Sequence, residues 1–195
     1  MKTPLRGIPG GVPSSGFPGN ILRLRSTPST QAVARRLAAE GAPAWTLVRA
    51  DRQTRGRGRL ERSWSSGAGG LYVSLVLRPR LAPAALADLS LLFGEACAAA
   101  LRALTGLETF VKPPNDVLAR AGDGSWRKVC GILLEASGDS KMVDWVVAGI
   151  GINVRNRIPR ALPEAASIQT LTGRAPETDE VLDAVLKELR RRMKS

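Results

Sequence analysis

The chain has 195 residues, 44% of them hydrophobic, and carries 29 lysines and arginines against 17 aspartates and glutamates, a formal net charge of +12 at pH 7. That length suits one domain with a proper core and is short for two, and the apolar content excludes wholesale disorder. Histidine is missing altogether, which removes histidine-based triads and most zinc sites.

Such a basic balance suits an anionic partner, whether nucleic acid, phosphate, acidic protein or membrane surface, and does not choose among them. Arginine greatly outnumbers lysine, so part of the charge reads as coding bias. Cys97 and Cys130 are the only cysteines, too few for a disulfide framework and better read as buried free thiols. No uninterrupted apolar run reaches the ~20 residues of a membrane span. The most apolar stretch, 81–107, is broken by Asp88, Glu95 and Arg102 and reads as a core helix. Without a signal-peptide pattern at its start, the protein is expected in the cytoplasm.

In chain order, residues 1–20 alternate Pro with Gly and Ser and read as a flexible or surface-laid tail. A helix is expected from Ser29 to Gly41, capped by Ser29 or Thr30, with Val33 and Leu37 on one face. Residues 44–50 and 71–79 read as strands. Between them lies "DRQTRGRGRLERSWSS" (51–66), with Arg52, Arg55, Arg57, Arg59 and Arg62 around Gly56 and Gly58. A long helix follows over 83–104, with Leu86, Leu89, Phe93, Cys97, Ala100, Leu101 and Leu104 at helical period, stopped by Gly106. The runs 109–119, 128–136 and 142–154 are β-rich and joined by Gly/Asp turns at 122–124 and 137–139, the pattern of an antiparallel meander. Residues 178–193 form an amphipathic helix with Val181, Leu182, Val185, Leu186, Leu189 and Met193 on one side, acids at its start and arginines at its end. The class is α+β, a mixed, largely antiparallel sheet with helices packed on it.

Several stretches carry candidate chemistry, and each has a plainer reading. The glycines of the arginine loop free the backbone to approach an anion, and Arg57 and Arg59 can grip carboxylate or phosphate; the plainer reading is a nonspecific RNA-binding RG segment. Lys112, Asn115 and Asp116 combine a cation, an amide and a carboxylate around Pro113 and Pro114. They also make an ordinary Pro-Asn-Asp turn. Asp116 is a candidate magnesium ligand. Lys128 at a strand mouth beside Gly131 can meet an anionic substrate or can simply be solvated. Gly149 and Gly151 in "GIGIN" mark close approach of the backbone to something, with Asn153 beside them. Trp64 is either core or a stacking surface.

Taken in order, "STQ" before a helix, "QTRGRGRLERSW", "GGLYVSLVLRP", "VKPPNDV", "KVCGILLE" and "GIGINV" resemble the biotin protein ligase catalytic domain over roughly residues 22–193. The resemblance implies a catalytic domain over 21–195 and a loop that closes over biotin and its adenylate. Ser29, Thr30, Gln31 and Gln53 match biotin-contacting positions, as do Gly56, Arg57, Gly58, Arg59, Gly149 and Gly151. Arg59, Arg62, Trp64, Lys112, Asn115, Asp116 and Asn153 match nucleotide-binding positions, Trp64 near the adenine. Lys128 matches the lysine at the biotin carboxylate, so Lys128, Arg57, Arg59 and Lys112 carry catalysis. The substrates implied are ATP and biotin with Mg²⁺, and the partner is a biotin carboxyl carrier protein of a biotin-dependent carboxylase. A homodimer is left open, and no membrane partner is expected. Neither the helix-turn-helix of some relatives nor the small β-barrel that usually ends the family is read in this sequence, so DNA is not an expected partner. Pro113 stands where the family usually has Trp, Gln31 where Asn is usual, and Arg55 where a small residue is common. The rival readings are a lipoate–protein ligase, whose Arg-Arg-x-Ser-Gly-Gly-Gly element is absent, and a non-catalytic basic domain.

Overall fold

The computed structural model describes residues 18–193; the expected tail lies mostly outside them, but its last residue, Asn20, already belongs to a strand. The strands are β1 (Asn20–Leu24), β2 (Thr46–Ala50), β3 (Leu71–Leu77), β4 (Thr109–Lys112), β5 (Asp116–Arg120), β6 (Trp126–Gly138) and β7 (Val143–Ile152). They form a seven-stranded sheet in the order β1-β2-β3-β7-β6-β5-β4. Only β1 and β2 pair in parallel; the remaining pairs are antiparallel. The α+β class therefore holds. The run 109–119, read as β-rich with a Pro-Asn-Asp turn as the plainer reading of its middle, is a hairpin. Proline has no N–H for the ladder, and Pro113 and Pro114 form the turn between β4 and β5. The expected turn at 137–139 also moves. Gly138 still pairs with Val143 at the end of β6, and the chain reverses where Asp139 accepts from the N–H groups of Lys141 and Met142.

Two faces of the sheet are covered unequally. On one side lie α2 (Leu86–Thr105) and α4 (Thr178–Met193). Helix α2 buries Leu89, Phe93, Cys97, Ala100 and Leu101, and α4 buries all six apolar residues expected of it. The helical period of each segment thus translates into one buried stripe. Val111 of β4 comes so close to α2 that a Cβ on Gly94 would lie 3.0 Å from it. Leu104 departs from expectation. It is 40% exposed, because it sits in the last turn of α2 before Gly106, at φ +72°, ends the helix.

The other face is covered only in part, by α1 (Thr30–Ala39). Ala34 and Ala38 of this helix pack on Val48, Val76 and Val147, with Val33 and Leu37 at the margin of the contact. Thus the buried stripe of α1 is centred one residue from the expected Val33–Leu37 face. Gly41, at φ +88°, turns the chain just past the helix. A short helix, α3 (Ile168–Thr172), capped by Ser167 Oγ on the Thr170 N–H, joins β7 to α4. The helix expected to be the most apolar, Pro83–Thr105, is long and apolar enough by length and composition to cross a membrane. In this fold its buried stripe belongs to the core just described.

Candidate active site

The sheet face not reached by α1 is the floor of a cavity of about 690 Å³. The register explains why space is left there. Beside α1, Val76 pairs with Val147; one pleat further along, Ser74 pairs with Gly149, and beyond that Tyr72 pairs with Gly151. On β6 the partners of Gly149 and Gly151 are Leu133 and Gly131. Alternate residues of a strand share a face, so beyond the end of α1 the small residues Ser74, Gly149, Gly151 and Gly131 leave room, while Tyr72 of the same face is buried outside the lining, its hydroxyl donating to the Gly67 carbonyl. Ile150 and Ile152, on the opposite face, stay in the core.

The glycines are demanded by what lies above them. A Cβ on Gly149 would stand 2.5 Å from Gln31 Oε1. Cβ atoms on Gly131 and Gly151 would stand 2.8 and 2.6 Å from the Trp64 ring. Close approach of the backbone, expected for this segment, is therefore observed, and part of what approaches is the indole of Trp64. Its Nε1 is buried without a hydrogen-bond partner.

One end of the cavity is a neutral hydrogen-bonding group. Gln53 Oε1 accepts from the Thr30 N–H at 2.8 Å and lies 3.1 Å from Thr30 Oγ1. Gln53 Nε2 donates to Ser66 Oγ. Gln31 Nε2 donates to the carbonyls of Val147 and Leu133, at 3.1 and 3.4 Å, and Gln31 Oε1 accepts from Ser74 Oγ at 3.0 Å. Gln31 thus clasps β6 and β7. Ser29, at the N-cap of α1, makes no side-chain cap bond. Its Oγ is buried and unpartnered, and the residue lines the cavity.

The other end is charged. Lys128 Nζ lies 2.7 Å from Asp116 Oδ1 and 5.3 Å from the centre of the Trp64 ring. A bulge aims this lysine. Val117 pairs with Cys130 but Leu118 pairs with Lys128, so Val129 is skipped. Val129 and Cys130 are both fully buried, and Lys128 is turned onto the cavity face, the re-aiming that bulges provide. Cys130 lies against the Cys97 thiol, and burial above all, then that neighbour, pushes its own thiol well above the usual range. Both cysteines are free and buried, as expected.

The arginine loop is a short hairpin over this floor. Gly58 N–H donates to the Arg62 carbonyl and Trp64 N–H to that of Gly56. Leu60 and Glu61 form its tip at φ +52° and +62°. Arg57 pairs with Glu135 at 3.2 Å, and Arg59 Nη1 donates to Asn115 Oδ1 at 3.2 Å. Both arginines line the cavity and dock the loop onto the sheet. Gly56 has a packing reason that the sequence did not show. A Cβ there would meet Ser66 Oγ and the Trp64 carbonyl at 2.4 Å, so packing inside the loop by itself requires glycine. On the outer side of the loop is a second cavity of about 710 Å³, reached by Arg55, Arg62, Pro159 and Leu162.

The structure brings together nearly all residues singled out in the sequence. Ser29, Thr30, Gln31, Gln53, Arg57, Gly58, Arg59, Arg62, Trp64, Asn115, Asp116, Lys128, Gly149, Gly151 and Asn153 line one cavity. Lys112 does not. It is exposed on edge strand β4 and is not among the lining residues. Two contributors went unnoticed in the sequence. Ser74 is wholly buried beneath the polar end, and Glu135 tethers both Arg57 and Arg35. A lone Ser inside the apolar strand "LYVSLVL" was the available signal for the first.

Comparison with known proteins agrees with this geometry. The model of the biotin/lipoate A/B protein ligase family matches residues 23–153. The biotin–[acetyl-CoA-carboxylase] ligase of Paracoccus denitrificans is 40% identical over 169 residues, covering 82% of this chain and 67% of that protein. The bifunctional ligase/repressor BirA of Bacillus subtilis is 37% identical over 164 residues, 81% of this chain and 49% of its own length. With 44% of a second Bacillus BirA covered as well, the chain spans about half the length of the two Bacillus relatives. Among solved structures, biotin protein ligase from Aquifex aeolicus in complex with biotin and ATP superposes with a TM-score of 0.74 at 36% identity, covering 90% of this chain and 70% of that one. The Leishmania major enzyme in complex with biotinyl-5-AMP gives 0.72 at 27% identity, with 88% and 73% coverage. Sharing sequence and fold with these proteins across most of its length, the chain belongs to the biotin/lipoate A/B protein ligase family, on the side of the biotin protein ligases.

Proposed function

We propose that the protein is an ATP-dependent biotin–protein ligase, which activates biotin as biotinyl-5′-adenylate and passes it to a lysine of a biotin carboxyl carrier protein in the cytoplasm. The observation that carries this reading is one cavity with a neutral hydrogen-bonding end at Thr30 and Gln53 and a cationic end at Lys128, joined by a glycine floor. A small molecule with a polar, uncharged head and a carboxylate tail fits that polarity. The Aquifex and Leishmania neighbours, by name, hold biotin with ATP and biotinyl-5-AMP.

In the first step a biotin carboxylate oxygen attacks the α-phosphorus of ATP and pyrophosphate leaves. Both reactants are anionic, so holding them in line is the main task. Lys128 has three N–H donors and can keep Asp116 while meeting the carboxylate and then the phosphate. Arg57 and Arg59, on a hairpin above the floor, add charge where the phosphoryl oxygens gather it. Trp64 and the hairpin exclude water from the mixed anhydride. In the second step an uncharged lysine amine of the carrier attacks the acyl carbon and AMP leaves. Asn115, Asn153 and Arg62 border the nucleotide half in this reading. Lys112 could join them only from outside the cavity.

Among the described residues no cluster of three acidic, cysteine or histidine side chains could hold a metal. A magnesium ion fits only as part of the nucleotide, with Asp116 as its single carboxylate ligand, and there it would neutralise phosphate charge. The reading is tested by biotin-dependent exchange of labelled pyrophosphate into ATP. Exchange with biotin supports it; exchange with lipoate alone assigns the sister activity, and exchange with neither leaves a binding domain.

A further inference from the structure

The hydrogen bonds at the polar end fix the direction of protons in a way that involves Ser74, a lining residue that the sequence did not single out. Gln31 Nε2 faces two backbone carbonyls, at 3.1 and 3.4 Å. A carbonyl accepts only, so Gln31 Oε1 is the atom turned toward Ser74. Ser74 Oγ, 3.0 Å away, must spend its one hydrogen there. Toward Thr30, whose Oγ1 is also 3.0 Å away, Ser74 can then act only as acceptor.

Thr30 has one hydroxyl hydrogen and two neighbours for it. Gln53 is also oriented, since its Oε1 accepts from the Thr30 N–H and its Nε2 donates to Ser66 Oγ. The hydrogen on Thr30 can therefore point to Gln53 Oε1, 3.1 Å away, or to Ser74 Oγ. In the first arrangement it occupies the Gln53 acceptor. In the second, Thr30 Oγ1 and Gln53 Oε1 stand as two acceptors 3.1 Å apart, which repel each other unless an N–H group enters between them. Among the described residues, the hydrogen-bond partners of Thr30 Oγ1 are Gln53 and Ser74, so Ser74 takes the hydrogen when such a donor arrives.

We propose that Ser74 is a positioning residue whose fixed acceptor lone pair lets Thr30 and Gln53 present two acceptors to the N–H group of a cyclic urea. It selects ligands whose head donates hydrogen bonds at this point. The proposal rests on the biotin ligase reading and adds a residue to its specificity.

The test is a double-mutant cycle on the whole chain, read by calorimetric titration with biotin and by steady-state pyrophosphate exchange. Ser74→Ala should weaken biotin binding roughly tenfold, the worth of one net hydrogen bond, with kcat and the KM for ATP within about twofold. Ser74→Cys, which fills similar space with a poor acceptor, should show the same loss. Thr30→Val should cost a comparable factor, and Ser74→Ala added to Thr30→Val should cost nothing more, because coupled residues are non-additive. Either serine variant binding biotin as wild type does, or losses that multiply in the double variant, overturns the proposal. Wild-type protein that fails to bind biotin at all overturns the ligase reading instead.

Discussion

Lys128 and Asp116 face each other across a bulge, Nζ to Oδ1 at 2.7 Å, each about 30% exposed, with Nζ beside the face of Trp64. The pair is a cation held in place by a carboxylate, not a solvated strand-end lysine. Lys128→Ala should lower biotin-dependent exchange by about 10- to 100-fold, since a hydrogen bond to a charged group contributes roughly 1.5–3 kcal/mol. Lys128→Arg should recover part of the binding and little of the rate, because a planar guanidinium cannot follow charge from carboxylate to phosphate as a point ammonium does. Ligand-free melting should move little for either variant, while stabilisation by biotin shrinks. Normal exchange in Lys128→Ala would hand the carboxylate to Arg57 or Arg59.

The Gly131–Gly151 pair leads to a second expectation. An added Cβ on Gly151 would lie 2.6 Å from Trp64 Nε1, so the ring must move. Gly151→Ala should leave the core intact and cost about 1–3 kcal/mol as local overpacking. Biotin affinity should drop, and Trp64 emission, isolated by subtracting a Trp64→Phe control, should shift to longer wavelength as the indole meets water. An unchanged spectrum together with unchanged affinity would show that the ring is not held by the floor.

How much of this was legible beforehand depended on whether a residue's role was local. The stripes of α2 and α4 followed from spacing alone, because burial of one helical face needs no knowledge of the partner. Strand β1 escaped notice. "NILRL" has little contrast, its residues are mostly exposed, and its place comes from parallel pairing with β2, a long-range choice. The candidate site was readable as a set of motifs, yet the roles inside it were not. Gly56 looked like a ligand-facing glycine and is held by Ser66 and Trp64. Glu135 drew no notice within the run 128–136 and is the tether of Arg57. Ser74 gains its meaning from Thr30 and Gln31, more than 40 positions away. Lys112 followed its motif but lies on an exposed edge.

The hairpin tip makes a third expectation. Leu60 and Glu61 both adopt left-handed backbone, which costs a non-glycine residue roughly 1 kcal/mol or more, and two-residue hairpins of this kind prefer Asn-Gly. Leu60 is also 82% exposed, so its side chain contributes little packing in return. Replacing the pair by Asn-Gly should tighten the loop without touching Arg57 or Arg59. Trypsin cleavage after Arg59 and Arg62 should slow several-fold in the ligand-free protein. Faster cleavage would mean that the native tip is not the strained element.

The last expectation concerns pH and lies away from the site. Arg49 of β2, largely buried, bonds Asp179 and Thr178 Oγ1 at the start of α4, and Arg23 of β1 approaches Asp179 at 3.6 Å. The hydrogen bond from Arg49, more than its charge or that of Arg23, holds the Asp179 carboxyl below the usual carboxylate range. A group depressed in the folded state contributes stability above its unfolded pKa, and the contribution is lost as pH falls through the folded one. Asp179 is 57% exposed on its side chain, so solvent screening limits the effect to about 1 kcal/mol or less. Asp179→Asn should therefore melt a few degrees below wild type at pH 7. The gap should close as pH falls below about 4, the ordinary carboxylate range, and through the lowered pKa of the folded wild-type carboxyl. A gap that stays constant down to pH 2 would mean that α4 is held to β2 by the shape of the side chain and not by its charge.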